Sequence, residues 1–151
     1  CYDNVGSGIA CDSADFPGQD GFYLEGCPTK DRFVDNKDDT VTDTCTGLMW
    51  QKNMAGTYTW QDALKYCEGL SFAGHDDWRL PNVRELQSIV DCGRVNPASD
   101  LVFGAVSGNC WSSSTFVFNP FNAWYGDFYY GSVSYANKTS GYYVRAVRSG
   151  P

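Results

Sequence analysis

Two short helical stripes, each opened by its own cap, sit mid-chain between flanks with strand periodicity. That order limits the fold more than any other feature. From Thr59 to Leu70, the residues Trp60, Ala63, Leu64, Cys67 and Leu70 recur at helical spacing. Thr59 caps that segment, with Asp62 three residues on. Pro81-Asn82 opens the second, where Asn82 and Glu85 have capping-box spacing and Val83, Leu86, Ile89 and Val90 form the apolar stripe. Ahead of them, residues 32–51 predict a strand, a turn and two further short strands, with Phe33, Val41 and Leu48-Met49-Trp50 on the apolar side. Behind them, short strands alternate from Cys110 onward. In 123–130 one face takes Trp124, Gly126 and Phe128, the other Tyr125, Asp127 and Tyr129. Tyr142 to Arg148 predicts a final strand with Val144 and Ala146 on one side and Arg145 on the other. Strands, then helices, then strands predict an α+β fold with segregated elements rather than a βαβ repeat. In the loop 94–109, Leu101-Val102-Phe103 is expected to plug the core.

A chain of 151 residues buries one real core. Residues 1–31 lack apolar periodicity, so the expected organisation is a stapled N-terminal segment, 1–31, followed by one domain, 32–151. The Gly6-Ser7-Gly8 stretch has no strand before it and no helix after it, so it is a turn and not a phosphate loop. Seven cysteines stand at 1, 11, 27, 45, 67, 92 and 110, without a CxxC and with His75 as the sole imidazole. Disulfides in an oxidising compartment are the simpler account than zinc. Proximity suggests Cys1–Cys11, Cys27–Cys45 and Cys92–Cys110, with Cys67 free on the apolar helix face. Cys1 is expected in that disulfide, a lipid anchor being the alternative.

The net charge of −7 argues against nucleic acid, heparin-like polymers and anionic membranes as partners. No apolar run approaches the roughly 20 residues of a membrane helix. The acidity is uneven: residues 1–43 hold ten acids against three bases, whereas 101–151 hold only Asp127 against Lys138, Arg145 and Arg148. That last stretch carries 13 of the 24 aromatic residues, interleaved with Ser, Asn and Gly. Rigid rings beside adaptable polar groups suit a recognition surface; an aromatic-rich sheet alone also uses Tyr and Phe. The turn Asp35-Asn36-Lys37-Asp38-Asp39 invites calcium, since hard cations want clustered carboxylates, but it lacks the glycine and distal glutamate of an EF-hand. An Asx-rich hairpin turn is the preferred reading, and no cofactor is expected. His75 beside Asp76 and Asp77 reads as a solvated loop, because no second imidazole or nucleophile motif supports it.

Taken together, RFVDNKDDTVTDTCTGLMWQK, TWQDALKYCEGLSFAGHDDWRLPNVRELQSIVD, WSSST, AWYGDF and YYVRAVRSG resemble the Lcl C-terminal domain family, from Arg32 to Gly150. These are bacterial surface modules, among them the head of a collagen-like adhesin. The resemblance implies a C-type-lectin-like fold: two helices packed on a small twisted antiparallel sheet, binding near the C-terminal strands. Two departures stand out. Lys37 and Asp39 replace glycines of the family's DNGDGT-like turn, and the basic face needed for sulfated polysaccharides is missing from the sequence.

The segment from Trp111 to Arg148 also resembles the variable region of proteins diversified by diversity-generating retroelements. Those elements randomise adenines, so asparagine codons become Tyr, Ser, Phe, Asp, Gly, Val and similar residues. Between Thr115 and Asn137 only Trp124 lies outside the reachable set. The resemblance implies contact positions at Phe116, Phe118, Asn119, Phe121, Asn122, Tyr125, Asp127, Tyr129, Tyr130, Ser132, Ser134 and Tyr135. Trp111, Trp124, Val144 and Ala146 are then scaffold. The expected protein is a non-catalytic, secreted or cell-surface module (outer-membrane or periplasmic) for protein or glycan ligands. An invariant adhesin head for host or matrix polysaccharide is the alternative. A further alternative is a cysteine-dependent oxidative enzyme on the same fold, with Cys67 as its nucleophile or metal ligand, although no positioned base accompanies it.

Overall fold

The computed structural model describes residues 30–150. The chain divides into two compact units, Cys1–Arg32 and Phe33–Pro151. The second carries all the elements below, and the expected Cys1–Cys11 pair lies outside the described residues.

The predicted strand-turn-strands of the first flank form as β1 (Phe33–Asp35), β2 (Thr40–Asp43) and β3 (Leu48–Gln51). The β1–β2 turn keeps left-handed backbone at Lys37 (φ 65°) and Asp39 (φ 64°), the positions where the resemblance led one to expect glycine. Side chains hold it there. Asp35 Oδ1 accepts from Lys37 N at 2.9 Å, and Asp38 Oδ1 accepts from Thr40 N and Oγ1 at 3.1 and 2.6 Å. A fourth strand, β4 (Ala55–Tyr58), follows where the sequence showed no strand pattern.

Helix α1 (Trp60–Glu68) starts at Thr59, whose Oγ1 accepts from Asp62 N, and ends at Gly69. Helix α2 (Val83–Ser88) has the full capping box. Asn82 Oδ1 accepts from Arg84 N and Glu85 N, both at 2.9 Å, and Glu85 Oε2 accepts from Asn82 N at 2.9 Å. The Glu85 carboxylate also takes both terminal nitrogens of Arg79, at 2.7 and 2.8 Å. Leu101–Phe103 is a 3-10 turn; of the three residues expected to plug the core Phe103 is buried, Val102 packs partly against it and Leu101 is 64% exposed.

The remaining strands are β5 (Asn109–Thr115), β6 (Asn122–Asp127), β7 (Ser132–Asn137), β8 (Tyr142–Val144) and β9 (Val147–Ser149). They correct the expectation of one small antiparallel sheet. A four-stranded sheet has the order β1-β2-β3-β9, and a five-stranded sheet the order β4-β8-β5-β6-β7. Within the second, β5 and β8 run parallel. The predicted strand from Tyr142 to Arg148 is broken at Arg145-Ala146, where the chain leaves one sheet for the other. Ala146 O accepts from Gln51 N at 2.9 Å, and Val147 exchanges two 2.9 Å hydrogen bonds with Arg79.

Arg145, placed by alternation opposite Val144 and Ala146, lies at this break. It is fully buried, donates from Nη2 to Phe103 O at 3.2 Å, and lies 4.7 Å from the Phe103 ring centroid. Its Nε and Nη1 have no hydrogen-bond partner among the described residues. Burial lowers its pKa to about 10.

Strand alternation sorts the core into two clusters on opposite faces of the five-stranded sheet. Trp111 pairs with Tyr125 and Cys110 with Gly126, so the two pairs point to opposite sides. Trp111 and Ala123 pack with Ala63 and Cys67 of α1, and with Trp78 and Val144. Cys110 packs with Leu86 of α2, Ile89, Trp50, Phe103 and Phe128. Gly126 allows the second contact: a Cβ there would stand 3.1 Å from Leu86 Cδ2.

The cysteine expectations divide. Cys67 is free and buried, as its place on the helix stripe implied. Cys45 is disulfide-bonded, and its expected partner Cys27 lies outside the described residues. The pair Cys92–Cys110 does not form: both are free thiols. Cys110 sits in the core on β5 while Cys92 is exposed in the loop after α2, so nearness along the chain did not become nearness in space.

Candidate ligand-binding face

The connection from β5 to β6 and the partner strand β7 place four rings together. Trp124 and Tyr135 are opposite one another across β6 and β7. Phe116 stacks on Tyr135 at 4.0 Å and 6° between planes, and Trp124 stands edge-on to both at 5.3 and 5.7 Å. Phe118 meets Phe116 edge-on at 5.6 Å. Edge-to-face and stacked contacts of this kind favour a defined ring arrangement beyond simple area burial.

The connecting loop is tied by its own backbone. Phe116 N donates to Asn122 O at 3.0 Å, Asn119 N to Phe116 O at 3.1 Å and Asn122 N to Asn119 O at 3.0 Å. Asn119 Oδ1 accepts from Phe121 N at 3.1 Å. The side chains it carries stand in solvent: Val117 is 81% exposed, Phe118 87% and Phe121 73%. So many exposed apolar side chains on one ordered loop are a feature of interaction surfaces.

None of the twelve positions expected to contact ligand is buried, but they do not form one patch. Phe116, Phe118 and Tyr135 share the ring cluster, with Asn119, Phe121 and Asn122 in or beside its loop. Tyr129 and Tyr130 lie at the far end of β6 and β7, their rings 4.5 Å apart, where Asp127 Oδ1 accepts from Tyr129 N at 2.8 Å. Tyr125 belongs to the opposite face, edge-on to Tyr142 at 4.8 Å and to Trp111 at 6.4 Å. Ser134 pairs with Tyr125 and Ser132 with Asp127, so both share that opposite face. Trp111, Val144 and Ala146 are buried. Trp124 is half-buried and borders a groove of about 360 Å³ with Val83, Arg84, Gln87 and Val133.

A second groove, of about 410 Å³, opens beside the loop. Trp60, Phe121 and Pro120 supply its apolar lining, and Thr59, Gln61, Asn137, Lys138 and Thr139 its polar one. Lys138 Nζ lies 3.9 Å from the Trp60 ring centroid and donates to Thr115 Oγ1 at 3.0 Å. The Trp60 indole donates to Ser112 O at 2.8 Å. Trp60 was legible only as part of a helical stripe, and Lys138 only as the sole lysine after residue 100.

The other sites raised by the sequence behave differently. Asp35 of the acidic turn takes both Lys37 Nζ and Lys52 Nζ, at 3.0 and 2.9 Å. The Lys52 hydrogen bond is the largest cause holding its carboxyl well below the ordinary range. With Asp38 engaged by Thr40, these oxygens serve the turn. Asp77 beside His75 pairs with Arg148 Nε at 2.6 Å, which likewise lowers its pKa. Burial pushes the Cys67 and Cys110 thiols up to about 12. No group of three or more metal-ligating side chains occurs among the described residues. Nor is any helix there long and apolar enough to cross a membrane.

The described residues form a small α+β module with two helices, two sheets and an exposed aromatic loop beside two grooves. The model of the Lcl C-terminal domain matches residues 39–148, and the chain belongs to that family. Membership suggests a surface-associated domain. No curated protein matches the chain.

Proposed function

We propose that the Phe33–Pro151 unit is a non-catalytic ligand-binding head with a C-type-lectin-like fold, secreted or displayed on a bacterial surface. Its aromatic C-terminal face binds protein or glycan ligands and is varied by a diversity-generating retroelement. The observation that carries this reading is the ordered Phe116–Tyr135–Trp124 cluster beside the exposed Val117, Phe118 and Phe121. Pairing of β9 with β3 joins the ends of this unit in one sheet, which supports the lectin-like reading. The absence of any buried residue among the twelve positions supports diversification, because exposed sites accept change without loss of core. Burial of Cys67, with its thiol raised to about 12, supports a non-catalytic head.

Deep sequencing of the gene's 3′ end in a population of source cells tests diversification. Substitutions confined to about residues 115–137 are expected, sparing Trp124 and the buried Ala123, Gly126 and Phe128. An invariant end means one fixed ligand, the adhesin alternative. Binding itself is tested by Tyr135→Ala, measured against a ligand selected from arrays of host glycans and proteins. Affinity is expected to fall about tenfold or more with the melting temperature within 2–3 °C of the parent. Parallel losses of stability and affinity would make the ring structural.

A further inference from the structure

We infer that the groove between Trp60 and Phe121 is a subsite for a single carboxylate on an apolar body, supplied by a peptide or protein partner. The cation comes first. Lys37, Lys52, Lys65, Arg79, Arg94 and Arg148 each have a carboxylate within 4.0 Å. Lys138 has none among the described residues, and neither do Arg84 and the buried Arg145; of these Lys138 lines the groove of about 410 Å³, where its ammonium is held in place. That volume is within the range of small-ligand sites. Its ammonium is already ordered between the Trp60 ring and the Thr115 hydroxyl, so little side-chain entropy remains to be lost when an anion arrives.

The rest of the lining fits the same ligand. Asn137 Oδ1 is taken by Thr139 N and Oγ1, at 3.0 and 2.8 Å, which leaves its amide nitrogen free to donate. No acidic side chain lines the groove. Asp62, on the first turn of α1, is turned toward Thr59 Oγ1 at 2.7 Å and Lys65. One ammonium balances one carboxylate, not a phosphate or a polyanion, and the net charge of −7 repels polyanions at a distance. The apolar walls favour a hydrocarbon or aromatic body. Sugar hydroxyls need acceptors as well as donors; Asn137 Oδ1 is already engaged by Thr139, which leaves Gln61 as the amide acceptor of the lining.

The carboxylate could be a chain terminus or an Asp or Glu side chain, and titration separates them. The intact chain, labelled with ¹⁵N, is titrated with acetyl-Gly-Gly-Phe, its C-terminal amide, acetyl-Asp-Phe-amide and glucuronate. Saturable shifts of the Trp60 indole, Asn137 and Thr139 signals are expected with the free acid or the aspartyl peptide, and not with the amide of the first. Lys138→Gln should weaken that binding about tenfold or more, the scale of a charge-assisted hydrogen bond, and Lys138→Arg should restore part of it. Lys138 also braces Thr115, so the variants' spectra and melts are compared with the parent. Phe121→Ala, whose side chain is largely exposed, weakens binding without touching that brace. The subsite is overturned if the amide binds as well as the acid, if neither Lys138→Gln nor Phe121→Ala alters binding, or if glucuronate alone binds. The inference rests on the reading of this face as a ligand surface, since Phe121 belongs to both. Tyr135→Ala, outside the groove, separates them: it should impair the face and leave small-carboxylate binding intact.

Discussion

Lys37 and Asp39 hold a left-handed conformation that costs a residue with a Cβ about 1–2 kcal/mol. Asp39 is exposed and its side chain has no role in the turn's hydrogen bonds, so Asp39→Gly should relieve strain. A rise in stability of about 0.5–1 kcal/mol is expected, read as a melting temperature higher by a few degrees. Glu85 is a residue through which acid should act on stability. Its hydrogen bonds from Arg79 are the largest cause holding its native pKa below 4.5. A carboxylate depressed in the native state stabilises fully above its unfolded pKa and loses that contribution as pH falls through the native value. Asp77 beside Arg148 acts in the same direction. Melting temperature should therefore decline as pH drops below about 4.5. Glu85→Gln should cost about 1 kcal/mol at pH 7 and flatten that decline, as a pH series of thermal melts would show. The thiols give a third test. Among Cys67, Cys92 and Cys110, only Cys92 should label quickly in the native protein, because the others are buried with raised pKa values. Mass spectrometry after brief alkylation reads this directly. Fast labelling of Cys67 would revive the oxidative-enzyme alternative.

At the scale of elements, the caps of both helices were legible because capping is local: Thr59 and Asn82 act on backbone groups two or three residues away. The contact of α2 with β6 was not, since it joins Leu86 to Gly126 across a long stretch of chain. Gly126→Ala should cost about 1–3 kcal/mol by overpacking. In a Leu86→Ala background the penalty should shrink, because the two nearest atoms it meets, Leu86 Cδ2 and Cγ, are gone and only Phe128 Cε2 remains at 3.4 Å. A double-mutant cycle in denaturant measures the difference. The last strand shows the same limit. Residues 142–148 alternate well enough to predict one strand, yet the chain changes sheets at Arg145-Ala146. Alternation reports which side of a strand is apolar, not which partner strand supplies its hydrogen bonds.

At the scale of the whole Phe33–Pro151 unit, the five-stranded sheet is the divider. One helix packs on each face, and the ring cluster and its loop project near the ends of β5, β6 and β7. The α+β order, both helices, most strands and the concentration of aromatics toward the C-terminus were all determined by sequence. Each depends on spacing within a few residues, on caps or on local composition. Tertiary structure alone decided which rings share a face. It placed Trp124 beside Phe116 and Tyr135 and put Tyr125 on the opposite side with Trp111. It likewise buried Arg145, kept Cys92 apart from Cys110 and brought Lys138 over Trp60. These outcomes depend on strand register and on contacts between segments tens of residues apart. Periodicity along one chain carries neither.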